Sequence, residues 1–316
     1  MLIATAVAVR LLAALALVLG PWADELGELA GWDIERFMTI ARAGGRAWRD
    51  TAVEYPPGSV ALFELLDRLS PAGAVGIVTA HRLLVLGGLV CDLSVAWLLG
   101  RRSHQAAATY LVLGLPLVPM GLLRLDLVAV LAAVAAALLA LRPTSSVETG
   151  NDRTGRTAAA GVLVAVGVMV KLWPGLLVPA LWSIRRERSS AAGIAACVLA
   201  AVAWLVWADA GLDPVRQVVD LRGATGWHLE SVGGVTTSLA DAVGIGALGP
   251  GEGVRLELNA FRIGTLSPGV VSFGRIIAVA AMAVLALRAR RLETASPLPV
   301  LGAVMLGSVA ALIVTS

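Results

Sequence analysis

Long apolar runs, separated by short polar or basic segments, are the dominant pattern of this chain. They fall at 2–20, 73–100, 106–123, 126–142, 157–184, 190–209, 270–289 and 296–315. A helix needs about 20 mainly apolar residues to cross the hydrocarbon core of a bilayer. The pattern therefore predicts an all-α polytopic membrane protein. The composition agrees, since 58% of the residues are hydrophobic and 15% are charged, which is too apolar for a soluble domain.

Basic clusters between the runs orient the chain in its bilayer. They are Arg101 and Arg102; Arg142, Arg153 and Arg156; Arg185, Arg186 and Arg188; and Arg288, Arg290 and Arg291. Cytoplasmic loops of membrane proteins are enriched in Lys and Arg, so we expect all four clusters in the cytoplasm. This arrangement predicts a cytoplasmic N-terminus and two larger extracytoplasmic loops, 21–72 and 210–269.

The run 157–184 has to begin and end in the cytoplasm, so one straight helix does not satisfy the pattern. Its centre reads VMVKLWPGLLVP, in which Lys171 and Pro174 interrupt the apolar sequence. Proline removes a backbone donor and breaks or kinks a helix. We therefore predict two antiparallel helices that meet at Lys171–Pro174 near the outer surface. The whole chain, 1–316, is then expected to form a single membrane domain of about nine transmembrane helices.

This topology places most of the polar residues on the outer side. They are Asp33, Glu54, Tyr55, Arg124, Asp126, Lys171, Asp209, Arg222, His228 and Glu230. The cytoplasmic loops hold short basic linkers and little else. We therefore expect any chemistry to face outward.

Several of these residues have a structural as well as a functional interpretation. A charge at the centre of a membrane helix costs about 2.5–3.5 kcal/mol and usually faces a cavity. Lys171 is thus a candidate ligand for an anion such as phosphate, or else a lysine that reaches back to the interface. Asp33 would alternatively serve as an acid at a helix N-terminus, and Arg124 and Asp126 would cap the tip of a hairpin.

Ionisable residues also lie within the first two spans. Arg10 is near the middle of the first span, and His81 and Asp92 share one face of the second. We interpret an Arg10–Asp92 pair, or a His81–Asp92 face turned to the interior, as structural rather than catalytic.

Four stretches of the sequence resemble the successive signatures of glycosyltransferase family 87. They are GWDIERFMTIARAGGRAWRDTAVEYPPGSVALF, RLDLVAVLAAVAAALLAL, AGVLVAVGVMVKLWPGLLVP and RGATGWHLESV, in order within residues 30–235. The family consists of bacterial mannosyltransferases of the GT-C superfamily that use a polyprenyl-phosphate-mannose donor. Two features differ from it: Phe37 stands where the family often has tyrosine, and relatives usually continue beyond the final ALIVTS. We therefore expect a short or C-terminally truncated member.

The resemblance implies a role for each outer residue. Asp33 would be the catalytic base that deprotonates the acceptor hydroxyl. The donor phosphate would be bound by Lys171, Arg222 and His228. Sugar and acceptor hydroxyls would be bound by Glu54, Tyr55, Arg124, Asp126 and Glu230. The prolines of the EYPP segment, Pro56 and Pro57, would make a rigid floor for the sugar pocket. Neither a metal nor a cofactor is expected.

The function implied is transfer of a hexose, expected to be mannose, at the extracytoplasmic face of a bacterial plasma membrane. The partners would be a polyprenyl-phosphate-linked donor, a glycolipid, lipoglycan or other glycan acceptor in cell envelope biosynthesis, and membrane lipids, with no nucleic acid. One alternative is a transporter or lipid flippase of envelope biogenesis, because broken helices with charges at depth also mark transport pathways; another is a non-catalytic scaffold in envelope assembly. Against the transporter alternative, the second half of the chain does not repeat the first, and the polar residues lie on one side.

Overall fold

The structure of the protein is a computed structural model that describes most of the chain up to residue 219 and short segments beyond it. The described residues are 2–19, 34–43, 46–50, 53, 55–141, 150–178, 181, 187–219, 227–228, 238–243, 255–257, 260–264, 280 and 284. Most of these residues are helical, so the predicted helical class is confirmed. Three very short strands add a small sheet that the sequence did not predict.

The described part of the chain contains eleven helices that are numbered here in chain order. They are α1 (Leu2–Leu19), α2 (34–43), α3 (Ala47–Asp50), α4 (Pro57–Leu69), α5 (Ala74–Gly100), α6 (His104–Leu113), α7 (Val118–Leu122), α8 (Asp126–Ala140), α9 (Gly150–Val170), α10 (Glu187–Ala208) and α11 (Asp213–Val219). Short 3₁₀ turns cover Leu115–Leu117 and Trp173–Leu176. Residues 177–178, 181 and 238–242 are also helical.

Three helices are long and apolar enough to cross a membrane, over Leu2–Leu19, Val75–Gly100 and Ser190–Ala208. Two shorter apolar helices, Asp126–Ala140 and Gly155–Val170, pack beside them. Large apolar side chains on the long helices are exposed, for example Leu12 at 64% and Val206 at 76%. A soluble monomer rarely exposes such patches, so these surfaces match the membrane class. The predicted total of about nine spans and the layout of the loops stay predictions.

Helices α8, α9 and α10 form a closely packed layer. Alanines of α8 pack against Ala160 and Val164 of α9. A Cβ on Gly193 of α10 would lie 3.2 Å from the carbonyl oxygen of Gly161 in α9. Small residues at such positions let helix backbones approach closely, as is usual in membrane bundles.

The predicted helix break at Lys171 is confirmed. Helix α9 ends at Val170, and the chain continues into the 3₁₀ turn that contains Pro174. Leu177 and Leu181 then pack back against the α9 cluster, so the chain reverses direction. Helix α9 begins at Gly150, earlier than the apolar run predicts, because the polar residues before the run continue the helix.

The apolar run 106–123 differs from an unbroken span. It consists of α6, a 3₁₀ turn and α7, and the interruption lies at Gly114 and Pro116. Pro116 has no amide hydrogen to continue a helix. Gly114 lies so close to Arg10 that a Cβ there would be 2.9 Å from its Nη2. The interruption thus makes room for a buried guanidinium.

Arg10 is the centre of a buried polar network between α1, α5 and α6. It is only 1% exposed, and its Nε donates to Asp92 Oδ2 at 2.6 Å. Its Nη1 donates to the carbonyl oxygens of Leu111 at 2.6 Å and Ala6 at 3.3 Å, while the Tyr110 hydroxyl donates to the other oxygen of Asp92. The predicted Arg10–Asp92 pair is therefore confirmed.

His81, the other residue of the predicted interior face, makes a separate contact. Its Nε2 lies 3.1 Å from the carbonyl oxygen of Leu17. Together with the Arg10 network, this contact fixes α1 and α5 as antiparallel neighbours at two different depths.

The strands lie within the predicted second outer loop, 210–269. They are β1 (Trp227–His228), β2 (Arg255–Glu257) and β3 (Ala260–Ile263), and β3 is the central strand of an antiparallel sheet. Trp227 pairs with Ile263, and Leu256 pairs with Phe261.

Removing the carboxylate of the buried network should destabilise the fold strongly. In Asp92→Ala, the guanidinium of Arg10 stays buried without its counter-charge, a situation that costs about 3–5 kcal/mol. Denaturant unfolding in mixed micelles measures this loss.

The matched control is Asp67→Ala, which removes the carboxylate of the exposed Arg42–Asp67 pair and should cost less than about 1 kcal/mol. The double variant Arg10→Leu/Asp92→Leu should recover much of the loss. Equal effects of Asp92→Ala and Asp67→Ala would contradict a structural role for the network.

Candidate functional site at the helix break

Three of the predicted site residues meet at the break after α9. The Nζ of Lys171 lies 3.6 Å from Asp126 Oδ1 and 5.6 Å from the centre of the Tyr55 ring. A cation within about 6 Å of a ring face is attracted by the ring quadrupole. An ammonium group, a carboxylate and an aromatic ring are therefore adjacent, although they come from distant parts of the sequence.

The antiparallel packing of α8 and α9 explains the pairing of Lys171 with Asp126. Asp126 is the first residue of α8, and Lys171 directly follows the last residue of α9. An acid in the first turn of a helix is favoured by the helix dipole, so the position suits Asp126 even without its partner. Both side chains remain partly accessible, with 30% of Lys171 and 39% of Asp126 exposed.

The start of α4 places Tyr55 beside the same break. Pro56 has an extended backbone, and Pro57 occupies the first position of the helix, where the missing amide hydrogen of proline costs nothing. The Ser59 hydroxyl donates to the carbonyl oxygen of Val170 at 2.6 Å. A Cβ on Gly58 would lie 2.6 Å from the carbonyl oxygen of Met169. The YPPGS segment therefore packs directly on the end of α9.

Aromatic residues support the Tyr55 ring from behind. Phe37 of α2 stacks on Phe63 of α4 with ring centres 4.2 Å apart. Tyr55 meets both rings edge-on, at 5.6 Å and 5.2 Å. Phe37 is 4% exposed and Phe63 is fully buried. Since aromatic pairs in this geometry contribute beyond their buried area, Tyr55 has a well-defined orientation toward Lys171.

The Lys171–Asp126 ion pair is long and partly exposed to solvent. Its 3.6 Å separation exceeds the usual 2.7–2.9 Å of a charge-assisted hydrogen bond. Partly exposed ion pairs contribute only about 0–1 kcal/mol. An anionic ligand would therefore displace Asp126 from Lys171 at little cost.

Lys171 is the only lysine in a chain that otherwise uses arginine for its basic residues. A lysine ammonium is a compact point charge on a flexible stem, whereas arginine presents a planar fork of donors. The basic side chain at the break can therefore adjust to the position of a ligand, and it does not require the planar arrangement of acceptors that arginine prefers. Its uniqueness also makes Lys171 a specific target for amine-directed reagents.

The remaining predicted site residues are less fully described. Arg124 is partly buried in the turn between α7 and α8, two residues before Asp126. His228 lies in β1, where it pairs with Arg262 of β3, and its side chain lies outside the description. Asp33, Glu54, Arg222 and Glu230 lie outside the described residues.

Sequence reasoning missed two residues that build this site. Gly58 and Ser59 belong to the quoted EYPPGS segment, but their contacts with α9 depend on which helix end they meet. The only lysine of the sequence, Lys171, lies within an apolar run, and this position was a signal for the helix break. Within the described ranges, no group of three or more His, Cys, Asp or Glu side chains is arranged to hold a metal ion.

Comparison with known families identifies the family of this chain. The model of glycosyltransferase family 87 matches residues 54–316, which is well over half of the chain. The matched region contains Tyr55, Asp126 and Lys171, and it begins after Asp33. No curated protein and no solved structure matches the chain.

A side chain at position 58 should disturb the site. In Gly58→Val, the new Cβ would overlap the backbone of Met169, so α4 has to move away from α9. We expect a loss of about 1–3 kcal/mol, typical of overpacking, and faster acylation of Lys171 as Tyr55 moves. Thermal unfolding in detergent and mass-spectrometric labelling measure the two effects.

Gly87→Val is the matched control, because position 87 is also helical and a Cβ there meets nothing within 4 Å. If both variants had the same stability and labelling rate, the close approach of α4 to α9 would have no part in holding the site.

Proposed function

This chain belongs to glycosyltransferase family 87, and we propose that it transfers a hexose, specifically mannose, from a polyprenyl-phosphate donor to a glycolipid, lipoglycan or other glycan. The reaction would take place at the extracytoplasmic face of a bacterial plasma membrane. The observation that carries the proposal is the cluster of Lys171, Asp126 and Tyr55 at the end of a membrane helix, inside the matched region.

Lys171 would bind the donor phosphate. Glycosyl transfer from a phosphate leaves negative charge on the leaving group, and a fixed cation lowers the energy of that transition state. The loose pair with Asp126 leaves the ammonium group available for this purpose. In the proposal, Arg222 and His228 add positive charge or hydrogen bonds to the same phosphate.

A lipid-linked donor fits the setting of the site. The break lies beside α10, whose exposed side chains are apolar, including Val202 at 55% and Val206 at 76%. A polyprenyl chain would remain in the bilayer next to such a surface while its phosphate reached the end of α9. A water-soluble nucleotide sugar would gain nothing from the apolar surface beside this cation.

Asp33 would act as the base that takes the proton of the acceptor hydroxyl. Its support is the resemblance of the segment that begins at GWDIERF and its position directly before α2 in the sequence. Phe37, one turn into α2, contacts the Tyr55 ring. In the proposal, Glu54, Tyr55, Arg124, Asp126 and Glu230 bind the hydroxyls of the sugar and acceptor.

The distribution of charge supports an outward-facing site. Arg102 donates to the carbonyl oxygen of Leu138 near the end of α8, whereas Asp126 begins that helix. Asp126 and Leu138 are 12 residues apart in α8, which separates them by about 18 Å at 1.5 Å per residue. The basic pair Arg101–Arg102 belongs in the cytoplasm under the positive-inside rule, which puts Lys171 toward the opposite face.

The transporter or flippase alternative is not favoured. A family of glycosyltransferases matches most of the chain, and a transport pathway would need polar groups continuing through the bundle. The Arg10 network also contains buried polar groups. Its guanidinium is already bound to the Asp92 carboxylate and to backbone carbonyls, so the network does not provide such a pathway.

The direct experiment is to incubate the purified protein with radiolabelled polyprenyl-phosphate mannose and an extract of envelope glycolipids. Label that moves into a glycolipid or glycan supports the proposal. Translocation of the donor across vesicles without transfer would support the flippase instead.

The variant Asp33→Asn should abolish transfer and leave donor binding nearly unchanged. The amide has the size of the acid but cannot take the acceptor proton, so transfer should fall by about 10²–10⁴-fold, or about 3–5 kcal/mol in the barrier. Transfer rates and equilibrium binding of the labelled donor test the two expectations separately.

Asp50→Asn is the matched control, since Asp50 is an exposed acid of the same outer loop at the end of α3, and it should keep normal transfer. Near-normal turnover by Asp33→Asn would exclude Asp33 as the base. Glu54 would then be the next carboxylate to replace.

The variant Lys171→Ala should weaken donor binding as well as transfer. The ammonium would contact the phosphate in both ground and transition states, so its loss raises KM and lowers kcat/KM. Lys171→Arg keeps the charge and should retain more donor affinity than Lys171→Ala. Unchanged donor affinity in Lys171→Ala would remove phosphate binding from the role of this residue.

A further inference from the structure

Gln217 of α11 links two backbone positions of the first outer segment. Its Oε1 accepts from the amide N–H of Val53 at 2.8 Å. Its Nε2 donates to the carbonyl oxygen of Trp48 at 2.6 Å. One carboxamide therefore holds both positions at once, across more than 160 residues of sequence.

Both linked positions are fixed by their own packing. The Trp48 ring is 1% exposed and lies 5.4 Å from the rings of Trp204 and Trp207 in α10. Val53 is fully buried, and it comes two residues before Tyr55 in the sequence. A constraint on Val53 is thus transmitted along a very short stretch of chain to the ring that faces Lys171.

We propose that Gln217 is a positioning residue that helps to hold Tyr55 against Lys171 by fixing the backbone at Trp48 and at Val53. The kinetic part of this inference rests on the proposed function, whereas its structural part does not. The hydrogen bonds of Gln217 are to the backbone at Trp48 and Val53, not to Lys171. It acts through the backbone of the segment that leads into α4.

The chemistry of the side chain is specific to a carboxamide. Only a group with a donor and an acceptor satisfies an amide N–H and a carbonyl together. Glutamate keeps an acceptor for Val53 but faces the Trp48 carbonyl with a carboxylate and no donor. Leucine has nearly the same size as glutamine but leaves both backbone groups without this partner, which is costly when they are buried.

The first test does not depend on enzymatic activity. In Gln217→Leu, the amide of Val53 loses its acceptor, so hydrogen exchange of the peptide containing residue 53 should be at least 10-fold faster at that site. Acylation of Lys171, the only lysine, should also be at least 3-fold faster as the Tyr55 ring moves away. Gln217→Glu should show a smaller change in exchange, because it keeps the acceptor.

The matched control is Gln105→Leu. Gln105 is an exposed glutamine of α6, at the end of the bundle opposite to Lys171. It should change neither the exchange at residue 53 nor the labelling of Lys171. Unchanged exchange and labelling in Gln217→Leu itself would overturn the proposal.

The second test separates positioning from a general loss of stability. Gln217→Leu should lower kcat/KM for sugar transfer by about 10- to 100-fold, as small misplacements of reacting groups do. In the Tyr55→Ala background, the same substitution should lower it by less than 2-fold, because the ring that Gln217 positions is already gone. A double-mutant cycle measures this coupling.

The possible outcomes distinguish the two proposals. If the unaltered chain transfers no sugar, the proposed function fails, while exchange and labelling still decide whether Gln217 is a clamp. If transfer occurs and the effects of Gln217→Leu and Tyr55→Ala on kcat/KM multiply independently, Gln217 contributes only to stability and the positioning role is wrong.

Discussion

The site depends on how the chain satisfies its backbone where α9 ends in a buried position. A helix end leaves its last carbonyl groups without partners in the helix, and such a group that is buried in the protein needs another hydrogen-bond partner. Here the Ser59 hydroxyl donates to the Val170 carbonyl, and Ser59 is fully buried. Gly58 allows the backbone of α4 to approach Met169 closely enough for that bond. The helix break and the first outer segment therefore stabilise each other.

This contact determines the rest of the local geometry. Because α4 begins at the end of α9, Tyr55 lies over the side chain that follows the last helical residue. Because α8 is antiparallel to α9, its first residue, Asp126, reaches the same place. The break thus brings together three groups that no single element would hold. A continuous helix through Lys171 would have kept the ammonium within the apolar face and separated it from both partners.

The sequence predicted the parts of this arrangement that depend on local chemistry. Apolar length predicted the three long apolar helices, and Lys171 and Pro174 together with the positions of the basic clusters predicted the break. It did not predict the contacts of Ser59 or Gln217, because hydrogen bonds between residues more than 100 positions apart follow from tertiary packing and have no local pattern. The interruption at Gly114 was missed for a different reason. An apolar run has nearly the same hydropathy whether its helix is continuous or broken, and the local signals were Gly114 and Pro116.

Two ion pairs in the described part of the chain, Arg10–Asp92 and Lys171–Asp126, show how the same chemistry serves opposite purposes. Arg10 is 1% exposed, and its guanidinium is bound to Asp92 and to backbone carbonyls, so removing either member of the ion pair would leave a buried charge without its counter-charge. Lys171 is partly exposed, lies 3.6 Å from its carboxylate and carries a compact charge on a flexible stem. The Arg10–Asp92 pair has no capacity to accept a ligand, because its buried guanidinium is already bound to the carboxylate and to backbone carbonyls. The second keeps its charge near the protein surface at little energetic cost, and that is the condition for exchanging a carboxylate for a phosphate.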